Sequence, residues 1–289
     1  MAIALVLAAY WLFSLADSST KGMTLLGVSV LQIAFVRYCT QLVISATETA
    51  CRGIHKSEVS DHFWLLMLRG AMLASATVSN FYALKVLSLS MYSAIMFSVP
   101  IIVSLLSWPV LGERVGPWRW FAIVMGFMGV LIIVAPFNEN FQWASLFSLY
   151  AAFGLAVYSL ITRKIVRQVR PHVLQFFTGA FGTVALLPVA IWFWEPVSFR
   201  LFLVMVFVGT ASWAGHELLT RAHKHADASV LMPYSYSFII YMSLFGYFLY
   251  DELPSEFTLF GAVVIVASGL IIWYRERRIK QGGKEHEST

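Results

Sequence analysis

Five stretches of this chain, 86–112, 141–162, 173–194, 228–250 and 257–274, contain no charged residue. Each is near the ~20 residues that an α-helix needs to cross a hydrocarbon layer ~30 Å thick. Only 12% of the 289 residues are charged and 59% are hydrophobic, whereas a soluble domain carries about 25% charged residues. A soluble fold is therefore excluded. The remaining apolar sequence fills five further spans, at 2–20, 27–49, 63–86 (interrupted by Arg69), 118–136 and 201–219. Lipid offers no partner to an unpaired backbone N–H or C=O, so the spans read as helices, and none shows the period-two alternation of a barrel strand. The first span starts at Met1 with no Lys or Arg before it, which favours a retained helix over a cleaved signal. The two cysteines, Cys39 and Cys51, make no disulfide framework and read as packing residues. The expectation is an all-α membrane protein with ten transmembrane helices.

Loop charge tests this count independently of hydropathy. Alternate loops and the tail carry fifteen Lys and Arg, among them Arg52, Arg114, Arg163, Arg170, Arg221 and Arg275, and the opposite loops carry three, Lys21, Lys85 and Arg200. Cytoplasmic loops hold the positive excess, so the N and C termini are both expected in the cytoplasm. The net charge of +5 then reflects topology and anionic lipid headgroups, with no nucleic-acid partner implied.

The chain also resembles itself. Shifted by 139 residues, 70–133 aligns without a gap on 209–272, with fourteen identities that include Gly70 on Gly209, Lys85 on Lys224, Ser98 on Ser237 and Glu113 on Glu252. The offset carries the third, fourth and fifth spans onto the eighth, ninth and tenth. A unit of five helices is odd, so its second copy must enter the membrane from the opposite side. Two inverted five-helix repeats are the pattern of secondary transporters, whose substrate site lies between the halves. Glu113 and Glu252 then lie on opposite faces of the membrane, and each reads as the cap of a tight helix-to-helix turn rather than as part of one acidic site. One departure is Asp251, where the first copy has Gly112.

LGERVGPWRW after the fourth span, RG followed by FYAL in the third, and ASVLMPYSYS, GYFLYDELP and GAVVIVASGL near the end together resemble the drug/metabolite transporter superfamily, EamA type. The resemblance covers essentially the whole chain. It implies a multi-pass protein of the bacterial cell inner membrane, with a first EamA-type repeat at 1–137, a second at 138–276 and a cytoplasmic polar tail at 277–289. It also implies a cavity lined by spans one, three, four, six, eight and nine. Within the family, AYWLFSLADSSTK and LQIAFVRY look closest to bacterial uptake carriers for riboflavin or S-adenosylmethionine.

Candidate residues follow from what lipid tolerates. A charge at the bilayer centre costs at least ~2.5 kcal/mol unless it is paired or faces water. Arg37 lies in the middle of its span, and Arg69 lies near enough to an end to snorkel. Asp17 and Lys21 have the i, i+4 spacing of a helical ion pair, and the rival reading makes Asp17 a titratable gate or a partner for Arg37. Glu217 and Arg221 repeat the spacing, beside His216, as an interfacial pair or a second coupling group. Tyr10, Trp11, Tyr82, Phe97, Tyr150, Tyr158, Trp213, Tyr234 and Tyr236 are mid-span aromatics suited to stacking on a flat solute. Ser14 and Asn80 offer neutral polar contacts, and Pro100 should kink the fourth span. Gly126, Gly129, Gly261 and Gly269 suit close helix packing, either as scaffold or in a homodimer contact. His223, His225 and Asp227 lack the further ligand that a metal site needs, so no metal or cofactor is expected.

The resulting expectation is a secondary transporter, not an enzyme, that moves a small planar aromatic metabolite by alternating access. Riboflavin uptake leads, with S-adenosylmethionine uptake or amino-acid, drug or metabolite export as alternatives. The chain has no GxxxxGK[ST] motif, so it does not itself hydrolyse ATP through a P-loop. A membrane-embedded enzyme would need acids or bases converging at one interface, whereas Asp17 and Glu217 are expected at opposite sides.

Overall fold

A computed structural model describes residues 1–112, 116–136, 141–225, 231 and 234–286. Glu113, Asp227 and Pro233 lie outside the described residues, as do the side chains of Arg119 and His223. Among the described residues the regular structure is entirely helical. The long apolar runs form α1 (Ala2–Leu25), α2 (Val30–Arg52), α4 (Phe63–Val86), α7 (Pro117–Val134), α8 (Ala144–Ile165), α9 (Pro171–Trp192), α10 (Phe199–His225), α11 (Ser237–Tyr250) and α12 (Glu256–His286). A short connector, α3 (Lys56–Ser60), precedes α4. Among the described residues seven helical stretches are long and apolar enough to cross a bilayer, and the stretches Trp120–Val134 and Ser237–Tyr250 are shorter apolar helices. The expected tail from 277 continues α12 as helix to His286.

The fourth expected span differs. It is built as α5 (Leu89–Met96) and α6 (Val99–Leu111), with the joint at Phe97 and Ser98. Pro100 therefore stands in the first turn of α6 and not in mid-helix. A proline there sacrifices no helical hydrogen bond, because first-turn N–H groups have no partner inside the helix. The proline marks a new helix start where a kink was expected.

The two expected repeats end their fourth members alike. Gly112 closes α6 at φ 72° and Asp251 closes α11 at φ 54°, both left-handed. Aspartate is one of the few side chains that enter this region readily, so the replacement preserves the turn.

Packing joins the first half of the chain to the second. α2 lies against α9 and α7 against α12. α1 packs on α10 and α11, while α8 packs on α4 and on α5 and α6. α10 meets α2, and α4 meets α9. Small residues permit a close approach of α7 and α12: a Cβ on Gly129 would meet Ile265 Cγ1 at 2.8 Å and the Gly261 carbonyl oxygen at 3.0 Å, and one on Gly261 would meet the Gly129 oxygen at 2.7 Å. These glycines thus serve a contact within the chain, between α7 and α12.

At one end of the bundle, Glu58 of α3 grips the start of α9. Its two carboxylate oxygens accept from Arg170 Nε at 2.8 Å and Nη2 at 2.7 Å, and also from the backbone N–H groups of Arg170 and His55, each at 2.9 Å. Hydrogen bonds from Arg170 outweigh desolvation and hold the Glu58 carboxyl down at about 2.

Two outcomes are expected. Gly261→Ala should overpack the α7–α12 contact against backbone that cannot yield, costing about 1–3 kcal/mol and lowering the thermal unfolding midpoint of the detergent-solubilised protein. Because folding depresses the Glu58 pKa, its clamp should act in full above its ordinary value of 4.5 and weaken as pH falls from there through about 2. Amide exchange across 55–60 should rise in that window, and should already be raised at neutral pH in Glu58→Gln.

Candidate functional site: a charged cavity between the halves

A cavity of about 740 Å³ runs between the two halves. Its walls come from α1, α4, α5 and α6, α8, α10 and α11, in agreement with the expected spans, and also from α2 and α9 through Arg37, Leu174 and Gln175. α7 and α12 supply no lining residue among those described. The lining reaches the helix ends at Arg163, Val166, Pro171 and Thr220. Towards the opposite end it stops at the level of Asp17, Asn80 and Tyr92.

Arg37, Arg69 and the carboxylate of Asp17 face the interior of this space, and Arg163 stands at its end. Arg37 donates through Nη1 to Thr77 Oγ1 at 2.8 Å and through Nε to Ser212 Oγ at 3.1 Å, and its guanidinium sits 5.0 Å from the Tyr38 ring centroid. Arg69, only 2% exposed, does not snorkel. It donates through Nε to Thr162 Oγ1 at 2.8 Å, through Nη1 to the Leu174 carbonyl at 2.8 Å and to Thr178, and through Nη2 to the Tyr158 hydroxyl at 2.6 Å. Among the described residues no carboxylate makes a salt bridge to either arginine. Arg69 is thus a neutral-acceptor hub that ties α4 to α8 and α9. Arg37, besides its bonds to Thr77 and Ser212, lines the open space.

Asp17, on α1, lines the same cavity as Arg37. Its oxygens accept from Asn80 Nδ2 at 3.4 Å and from the Tyr92 hydroxyl at 3.2 Å, both neutral donors at long range. The expected Asp17–Lys21 pair is not formed: Lys21 turns away to Glu252 and to the Leu87 carbonyl. Glu252 correspondingly spans between elements instead of only capping its own turn.

Of the sequence-derived candidates, Tyr10, Asp17, Arg37, Asn80, Phe97, Pro100 and Tyr158 line the cavity. The others are placed elsewhere. Trp11 packs on Tyr241 and Phe245, Tyr82 on Phe147, and Tyr236 on the back of Phe97. Ser14 bonds back to the Tyr10 carbonyl, and Tyr150 bonds to Ser75. Glu217 is held by Arg221 at 2.9 Å, and neither Trp213 nor Tyr234 reaches the lining. The sequence reading missed Thr77, Tyr92, Ser212 and Phe238, and it chose Glu217 over its neighbour His216, which does line the cavity. Adjacent residues on a helix point about 100° apart, so Glu217, paired with Arg221, and His216, at the cavity, lie on different faces of α10.

A helical bundle around a largely apolar cavity that several ionisable side chains also line is an arrangement suited to a membrane transport protein. The chain belongs to the EamA-like transporter family, which it matches over residues 1–135 and again over 142–274. It is a multi-pass protein of the bacterial inner membrane. It is similar to an S-adenosylmethionine uptake transporter of Rickettsia prowazekii (strain Madrid E), 28% identical over 89% of this chain and 86% of the relative. A riboflavin transporter of Vibrio cholerae is 26% identical over 84% and 82%. Pseudopaline exporter CntI of Pseudomonas aeruginosa is 30% identical over 71% and 72%. A protein of known crystal structure, 20% identical, superposes over 96% of this chain and 98% of its own with a TM-score of 0.64, and so shares the fold.

Arg69→Lys should keep the charge but lose the forked reach to α8 and α9. A loss of about 1–3 kcal/mol is expected, read as a lower thermal midpoint, with Tyr158→Phe costing less than Arg69→Lys.

Proposed function

We propose that the protein is a secondary transporter with ten membrane spans in two inverted repeats, 1–137 and 138–276, and with both termini in the cytoplasm. The packing supports this arrangement. Exchanging the five spans of each repeat turns the α1–α10 contact into α8–α4, the α1–α11 contact into α8 against α5 and α6, and the α2–α10 contact into α9–α4. The α2–α9 and α7–α12 contacts map onto themselves. Such a pattern is what a pseudo-two-fold axis produces.

The substrate is an amphoteric metabolite with a flat ring, and S-adenosylmethionine fits better than riboflavin. The observation that carries this reading is the pair of opposite charges, Asp17 and Arg37, lining one cavity without an ion-pair partner in the described protein. Desolvated charges facing a shared space favour a solute that brings a cation to one and a carboxylate to the other. S-adenosylmethionine has an ammonium, a sulfonium, a carboxylate and an adenine. A flavin ring with a ribityl chain has no carboxylate or fixed cation. The aromatic content that pointed to riboflavin weighs less once Trp11, Tyr82, Tyr150, Trp213, Tyr234 and Tyr236 are assigned to packing or to other surfaces. Tyr10, Phe97 and Phe238 remain at the cavity to stack on the adenine.

Proteoliposomes containing only this protein should take up labelled S-adenosylmethionine saturably. Asp17→Asn and Arg37→Gln should each cut the flux about tenfold or more, the effect of removing one charge-assisted contact. Competition by riboflavin that matches unlabelled S-adenosylmethionine would overturn the substrate reading. No flux in either direction for a broad metabolite panel would overturn transport. The neutral donors around Asp17 also support a second reading, in which that carboxylate carries a coupling proton. Stimulation by a pH gradient that vanishes in Asp17→Asn would be its signature.

A further inference from the structure

Beyond the last lining residues at the end opposite Arg163, Asp17, Asn80 and Tyr92, lies a set of specific polar contacts. Lys21, near the end of α1, is 3% exposed. Its ammonium donates to the Leu87 carbonyl at 2.7 Å, at the joint between α4 and α5, and to Glu252 just past α11. The second Glu252 oxygen accepts from the backbone N–H of Leu89 at 3.1 Å. The left-handed Asp251 makes this possible, because it turns the chain so that the Glu252 N–H bonds back to Gly246 at 2.9 Å. Beside the pair, the Tyr250 hydroxyl donates to the Ser18 carbonyl, and its ring lies 5.5 Å from the Lys21 nitrogen.

Three segments therefore meet at one point: the end of α1, the start of α5 and the end of α11. All three helices also line the cavity, through Asp17, Tyr92 and Phe238, whereas Lys21, Leu87, Tyr250 and Glu252 do not. Asp17 is one helical turn from Lys21 on α1. The contacts thus form a roof over the charged site.

We propose that Lys21 and Glu252 are the latch of the outer gate, broken and remade in each transport cycle. The word cycle rests on the transport reading above, but the latch itself does not. A pair whose members come from opposite halves of the chain is suited to this task, since relative movement of the halves separates them without unfolding either helix. Glu252 keeps 25% of its side chain exposed, so water has access to one partner as the contact opens. The contact is specific in direction as well: Lys21 satisfies a carbonyl that ends α4 and Glu252 satisfies an N–H that starts α5, so release frees both sides of that joint.

Thiol labelling reads the latch without any substrate. With Cys39→Ser and Cys51→Ser removing the native thiols, Ala16→Cys places a probe on the cavity wall beneath the latch. A membrane-impermeant thiol reagent offered from the Lys21 face of oriented vesicles should react slowly. Adding Glu252→Gln should speed this labelling about tenfold by shifting the population towards the open state, and Tyr250→Phe should raise it by a smaller factor. A control thiol, Ala34→Cys in the packed core, should stay unreactive in both backgrounds. Unchanged labelling in a monodisperse Glu252→Gln protein would overturn the latch. A parallel rise at Ala34→Cys would do so too, because it would mean general loosening. Loss of flux with intact latch behaviour would instead fall on the transport reading alone.

Discussion

A guanidinium inside a bilayer must face something other than lipid, and this molecule is arranged around two of them. Arg37 and Arg69 are both enclosed by hydroxyls and carbonyls from other helices. Satisfying Arg69 brings α8 and α9 against α4. Satisfying Arg37 brings α10 against α2 and α4. The cavity is the space left between these hubs, which explains why α2 and α9 contribute to a lining otherwise made from spans one, three, four, six, eight and nine. The two arginines play different parts within one rule: Arg69 ties α4 to α8 and α9, while Arg37 ties α2 to α4 and α10.

Symmetry and its breaking divide the labour. The contacts among helices exchange in pairs, and Gly112 and Asp251 adopt the same left-handed turn. Asp251 leads directly into Glu252, which bridges to α1 and α5. The charged residues at the centre are not symmetric: Asp17 and Arg37 both come from the first half, and the second half faces them with Ser212, His216 and Phe238. In the proposed two-repeat reading, duplication accounts for the frame, and divergence accounts for the charges at the cavity.

The frame was legible in the sequence because lipid enforces it. Apolar run length marks the helices, and alternating loop charge carries the topological expectation. The break at Phe97 and Ser98 was half legible: Pro100 announced a disturbance, but whether a proline kinks a helix or begins a new one depends on the neighbours that accept the freed groups. The site was less legible. An i, i+4 spacing made Lys21 a natural partner for Asp17, yet Glu252, 231 residues away, won it through tertiary packing. Aromatic residues were a weak guide for the same reason. In a membrane bundle Trp and Tyr also serve lipid-facing and helix-packing surfaces, and sequence position alone does not separate Tyr10 at the cavity from Trp11 beside it.

The interlocking of the two halves also has a consequence for how the protein is made. α1 packs on α10, and the Ser212 that receives the Nε of Arg37 lies 175 residues further along the chain. A ribosome delivers α1 and α2 to the membrane long before either partner exists. Until then Arg37 must be sheltered by water, by lipid headgroups or by the insertion machinery. Synthesis in two separately expressed halves would prolong that exposure, whereas a continuous chain limits it to the time that the remaining helices take to emerge. The buried charge at the cavity is thus, during biosynthesis, a reason for the two halves to remain one polypeptide.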